Sequence, residues 1–184
     1  PSVNKTSEYI TRDLNTGRFD FFCGGITIPS RKIESERLLR KGSNGIEFFT
    51  TQVLYDARKI KKMLKYYDDV CKDNNVLPRR ILLSFAPVSS KKNIDFLKWL
   101  GVEIPKLTEK RLNNKKTDMT DESLEIAAGI LKDILKNNEK LGITVPIGLN
   151  VEHIMSYNFQ YSINMLQELS KIYRKFCIKT SLYD

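Results

Sequence analysis

The sequence predicts an α/β fold built on a parallel sheet. Three observations carry that prediction: four short apolar runs, a longer amphipathic segment after each, and runs that are continuously apolar rather than alternating. A strand covered on both faces needs apolar side chains on both sides, which a half-solvated antiparallel strand does not. At 184 residues the chain is long enough for one core and does not require two.

The elements follow in order. Residues 19–28 (FDFFCGGITI) read as the first strand, stopped by Pro29, and residues 31–41 as a helix carrying Ile33, Leu38 and Leu39 among charges. Ser30 is placed to cap that helix, since a hydroxyl accepts an orphan N–H of the first turn. Residues 45–52 (GIEFFTTQ) form the second strand, and residues 56–72 the next helix, with Ile60, Met63, Leu64, Tyr67, Val70 and Cys71 recurring every three or four positions. Asp56 stands where a cap is needed. The third strand is residues 80–87 (RILLSFAP), and Ser89 and Ser90 can cap a helix running to Leu100, with Trp99 in its packing.

Residues 106–119 are polar and basic, a short helix and then a mobile loop. A long helix spans residues 120–141, with Asp121 and Glu122 in its first turn complementing the macrodipole. Residues 144–152 (TVPIGLNVE) are the fourth strand, Asn150 serving as a cap or turn residue at its end, and residues 159–176 the last helix. Four strand–helix units make either an open doubly wound sheet or half of an eight-stranded barrel; periodicity does not choose.

Composition narrows the function. Hydrophobic residues at 41% and charged residues at 29% describe an ordinary globular domain. No run approaches the roughly 20 apolar residues that span a bilayer, so no membrane partner is expected. Residues 1–16 lack the apolar stretch of a secretory signal, and the absence of a starting Met indicates that something precedes Pro1. Cys23, Cys71 and Cys177 are scattered and His153 is the only histidine. A disulfide framework, a structural zinc site and a His-based triad are therefore not expected, and the chain reads as cytoplasmic. The net charge of +9 raises nucleic-acid binding. The basic residues, however, alternate with apolar ones at helical spacing, as in residues 58–62 and 171–175, which is the pattern of solvated helix faces. No nucleic-acid partner is expected; such a surface equally steers an anionic substrate.

Thr51-Gln52-Val53-Leu54-Tyr55-Asp56 closes the second strand. Residues 81–89 (ILLSFAPVS), residues 101–105 (GVEIP) and Gly148-Leu149-Asn150 follow at ordered distances, with Gly129 among alanines in the long helix. In these runs the chain resembles the flavin-dependent methylenetetrahydrofolate reductases, over about residues 19–150. The T-Q-x-x-Y-D run is fairly specific and the shorter pieces gain weight from their order. The resemblance implies a (β/α)8 TIM barrel of which residues 19–184 supply the C-terminal half, after a polar segment at residues 1–18. It implies FAD as cofactor, NADH or NADPH as electron donor and a folate substrate. It also implies that the catalytic Glu and much of the flavin pocket belong to the first half of the barrel.

Four residues are singled out by this resemblance. Gln52 stands at the C-terminal end of a strand, the face where barrels place their chemistry, and its amide donates and accepts at once, which suits a pterin edge. Phe96 matches an aromatic that packs on bound substrate. Arg40 and Lys41 match a pair around the flavin phosphates, where fixed positive charge is apt. Two positions depart from the family. Ile26 follows Gly24-Gly25 where a Tyr is usual near the flavin, and Val151 follows Asn150 where an Arg is usual. Half a barrel has open edges and an apolar inner face, formed by residues such as Phe19, Phe21, Phe48, Phe85 and Ile147, so a homo-oligomer or association with the missing N-terminal half is expected.

Overall fold

The computed structural model describes residues 21–180. Four strands, β1 (Gly24–Thr27), β2 (Phe48–Thr51), β3 (Arg80–Phe85) and β4 (Ile147–Val151), pair in parallel in the order in which they occur along the chain. Between and after them run helices α1 (Glu34–Ser43), α2 (Ala57–Asp73), α3 (Lys91–Trp99), α4 (Lys106–Leu112), α5 (Met119–Leu141) and α6 (Phe159–Thr180), the last preceded by a 3₁₀ turn at Ser156–Asn158. Helices α1, α2, α5 and α6 pack on one another in that sequence, so they form one layer that tracks the strand order.

Register assigns the faces. Phe49, Ile81 and Ile147 share one row and Leu83 and Phe85 continue it, all buried with Leu38, Ile60, Leu64, Leu131, Ile134 and Leu169 of the helices. Successive side chains alternate across a sheet, so the opposite face carries Ile26, Thr50, Arg80, Leu82, Gly148 and Asn150. Among the described residues no helix covers Ile26, which is 68% exposed. Phe48 lies on this open face and stacks on Phe22 at 5.3 Å. Leu82 extends across Gly148, where a Cβ would lie 2.5 Å from its Cδ2; only glycine permits that approach. Phe85 and Ile147, expected on the open face, belong instead to the helix-covered one, because register rather than hydrophobicity decides the side. Phe19 lies outside the described residues.

Side-chain capping explains two of the helix starts. Asp56 accepts the Arg58 N–H at 2.9 Å to start α2. Asp118 accepts those of Thr120 and Asp121 to start α5, which carries Asp121 and Glu122 in its first turn. Ser30 caps nothing: α1 begins later, after Ile33, whose φ of 51° is unusual for a β-branched residue. Ser90 occupies the N-cap of α3 without a side-chain bond. The segment after Pro105 forms α4 over Lys106–Leu112. Trp99 is 78% exposed rather than packed, because α3 is a single short helix that turns its other side, Ile94 and Leu97, to the core. Asn150 lies within β4 rather than at a turn.

At the other end of the sheet, Asp68 of α2 is 1% exposed and accepts from Thr144 N–H at 2.9 Å, Thr144 Oγ1 at 2.6 Å and Lys72 Nζ at 2.5 Å. Burial alone would raise its pKa; the bonds from Lys72 and Thr144 outweigh that and hold the carboxyl below the usual range. Asp68 thus ties α2 to the α5–β4 connection as an anion.

Candidate functional site

The strands of the parallel sheet end together, and their C-terminal ends carry the loops that can converge on a ligand. Beyond β1 and β2 these loops enclose a cleft of about 620 Å³, lined by Pro29, Ser30, Gln52, Asp56, Lys59, Gly101 and Glu103 among others. Gln52 is placed by its own backbone, whose N–H bonds Thr27 O at 2.9 Å. Its amide donates from Nε2 to Leu100 O at 3.4 Å, a long bond, and no protein group bonds its Oε1 among the described residues. Gly101 shapes the turn beside this bond: its φ of 79° is a left-handed conformation that glycine adopts without strain.

The charges of the cleft are neutralised in pairs. Lys59 is ion-paired to Glu103, and Arg58 Nε bonds Asp56 Oδ2 at 2.8 Å. The Arg58 bond holds Asp56 below the usual carboxylate range, and the Lys59 bond does the same for Glu103, in both cases against a smaller effect of burial. Carboxylates kept ionised in this way are poor proton donors at neutral pH. The cleft therefore offers shape, an amide with an unused acceptor, and paired charges. Tyr55, buried beneath it, donates to Ala86 O at 3.0 Å, and burial pushes its phenol up.

Gln52 alone of the four singled-out residues lines this cleft. Phe96 is half-buried on α3, its ring stacked on Trp99 at 5.8 Å. Arg40 and Lys41 lie on the last turn of α1, which leads into β2, so they stand at the opposite end of the sheet from Gln52. Arg40 is exposed. Lys41 Nζ donates to Ile26 O at 2.8 Å. Because Cys23 O and Thr27 O point to β2, Ile26 O points away from it, and Lys41 stands at the edge of β1 that no described strand pairs.

Two polar groups escape a reading of the sequence. Ser89, Asn93, Tyr157 and Asn158 join the β3–α3 loop to the β4–α6 loop: Ser89 Oγ donates to Asn158 Oδ1 at 2.7 Å and Asn93 Nδ2 to Tyr157 Oη at 2.7 Å. Asn158 Nδ2 donates to Pro87 O at 3.3 Å and to Asn93 Oδ1 at 3.2 Å. In the second group, Asn150 Nδ2 donates to Ser84 Oγ at 3.1 Å and to Glu152 Oε1 at 3.5 Å. The available signal was polar residues interrupting apolar runs, Ser84 in one strand and Asn150 in the other; their register alone shows that they meet.

The model of the family described as methylenetetrahydrofolate reductase matches residues 24–171. This chain belongs to that family. Among solved structures, an uncharacterized Clostridium thermocellum protein that binds two copies of 5-methyl-5,6,7,8-tetrahydrofolic acid is similar to this methylenetetrahydrofolate reductase family member, with a TM-score of 0.71 and 27% identity. The likeness covers 83% of this chain and 55% of that one, so this chain spans little more than half of its relative. No curated protein matches it. Among the described residues no helix is long and apolar enough to cross a membrane, and no group of three or more His, Cys, Asp and Glu side chains is placed to hold a metal ion.

Proposed function

We propose that this chain is the folate-binding, C-terminal half of a (β/α)8 barrel. On this reading the completed protein reduces methylenetetrahydrofolate to methyltetrahydrofolate with FAD and NADH or NADPH. The observation that carries the folate assignment is Gln52, an under-bonded primary amide at a strand end, lining a cleft large enough for a heterocycle. Family membership and the folate bound by the similar clostridial protein support the same ligand class. Phe96, the aromatic wall that the family resemblance implies, stacks on Trp99 and does not line this cleft, so the reading rests on Gln52. Gln52→Ala is expected to weaken 5-methyltetrahydrofolate binding by about 1–3 kcal/mol, the cost of an unpaired polar partner, without altering any flavin content. Calorimetric titration checks this, and an unchanged affinity would return Gln52 to a purely structural role.

FAD, when bound, supplies hydride transfer, while the protein supplies orientation and electrostatics. Exposed Arg40 fits a phosphate contact as it stands; Lys41 fits one only by releasing Ile26 O. A second reading, a folate-binding module without flavin chemistry, is favoured by Ile26, an exposed aliphatic residue where the family usually carries Tyr near the flavin. The absorption spectrum of the purified full-length protein separates the two: flavin bands support the reductase, a colourless protein that binds folate supports the module.

The half-barrel reading has its own consequence. The sequential parallel order and the 55% coverage of the longer relative support it. Residues 1–184 alone are then expected to self-associate, closing edges and the open face on a second copy. Light scattering at low concentration checks this. A compact 21.3 kDa monomer that binds no hydrophobic dye would count against the half-barrel.

A further inference from the structure

Ser84, Asn150 and Glu152 stand at the C-terminal ends of β3 and β4, on the face the helices leave open. The function argued above uses none of them. Ser84 is fully buried, and its hydroxyl oxygen accepts from Asn150 Nδ2, so its own proton is free to turn to the Glu152 carboxylate. The Glu152 backbone is fixed as well, its N–H bonding Phe85 O at 2.8 Å. The whole group is thus held by two adjacent strands.

The carboxylates of the cleft, Asp56 and Glu103, each have a cation beside them. Glu152 is half-buried and, among the described residues, forms no ion pair. Ionised carboxyl groups withdrawn from water without a counter-charge are costly unless donors reach them. Burial accordingly pushes the Glu152 carboxyl up from its ordinary value, with the Ser84 bond offsetting part of the effect. A ligand that brings N–H donors relieves this cost.

We propose that Glu152, held in place by Ser84 and Asn150, binds a ligand edge with two adjacent N–H donors, the 2-amino-4-oxo pyrimidine edge of a pterin. A carboxylate accepts two parallel donors at once, and such bidentate pairs give both strength and orientation. Glu152 does not itself line the Gln52 cleft; strands β2 and β4 are two strand spacings apart, roughly 10 Å, so a ligand held at Gln52 must extend across the end of β3 to meet it. The proposal rests on the folate reading and adds the group that selects the amino-oxo ring. Guanine carries the same edge, and the experiment separates the two sources.

The protein and its Glu152→Gln variant are titrated with 5-methyltetrahydrofolate, with a pterin and its analogue lacking the 2-amino group, and with guanosine monophosphate. The wild type is expected to prefer the pterin over the analogue by about ten- to a hundredfold, as charged hydrogen bonds allow. Glu152→Gln exchanges an acceptor for a donor at constant shape and is expected to abolish that preference while the melting temperature holds. A wild type indifferent to the 2-amino group, or a variant that keeps the preference, overturns the proposal. In that event continued, Gln52-dependent binding of 5-methyltetrahydrofolate leaves the folate reading standing. Guanosine monophosphate bound in preference to folate, with the same dependence on Glu152, supports the edge and overturns the folate reading. Binding of none of these ligands overturns both. If Glu152→Gln does not fold, the wild-type comparison of pterin and analogue decides alone.

Discussion

Phe85→Ala is expected to lower the unfolding free energy by about 3–5 kcal/mol, the range for emptying a buried aromatic position. Phe85 is fully buried where the last row of β3 meets the helix layer, so neighbours on two sides would have to move to fill the space. Leu82→Ala, three residues earlier and on the other face, is the control. Leu82 is only half-buried and lies over Gly148, so its truncation is expected to cost about 1 kcal/mol in the isolated chain. Urea unfolding with an unchanged slope measures both. Equal losses would mean that both faces are packed, and the one-sided helix layer would be wrong.

Asn158→Ala is expected to cost about 2–4 kcal/mol, mainly through hydrogen bonds left unmade. Asn158 is 1% exposed, and its amide bonds Pro87 O, Asn93 Oδ1 and Ser89 Oγ. Truncation leaves the buried Pro87 carbonyl without this donor and Asn93, itself 1% exposed, with fewer partners, at about 1–3 kcal/mol for each group left unsatisfied. Asn158→Asp separates loss of volume from loss of donors. It keeps the acceptor for Ser89 and removes the donor to Pro87 O, so it is expected to recover only part of the stability. Because this network ties the loops that follow β3 and β4, hydrogen exchange in residues 86–93 and 152–158 is expected to quicken in both variants. Protection unchanged from the wild type would show that packing, and not this network, orders the loops.

The sequence by itself determined the class and order of the elements. Apolar runs mark strands, three- and four-residue spacing marks helices, and a carboxylate such as Asp56 announces a helix start, because each of these is a local consequence of backbone geometry and unpaired N–H groups. That Gln52 lines the cleft was legible for a related reason: loops at the C-terminal ends of parallel strands gather on one face. Serines at the first and third helix starts misled: α1 begins after Ile33, beyond the reach of Ser30, and Ser90 occupies the N-cap of α3 without a side-chain bond. The tertiary structure alone decided which face each apolar residue serves. Phe85 and Ile147 entered the core and Ile26 did not, because parallel register aligns alternate side chains across four strands and a one-residue shift would invert them all. The same register brought Ser84 beside Asn150, 66 positions apart in the chain, and the turn at Gly101 brought Leu100 against Gln52 from 48 positions away. No local pattern encodes such meetings; they exist only once the strands are aligned and the loops above them closed.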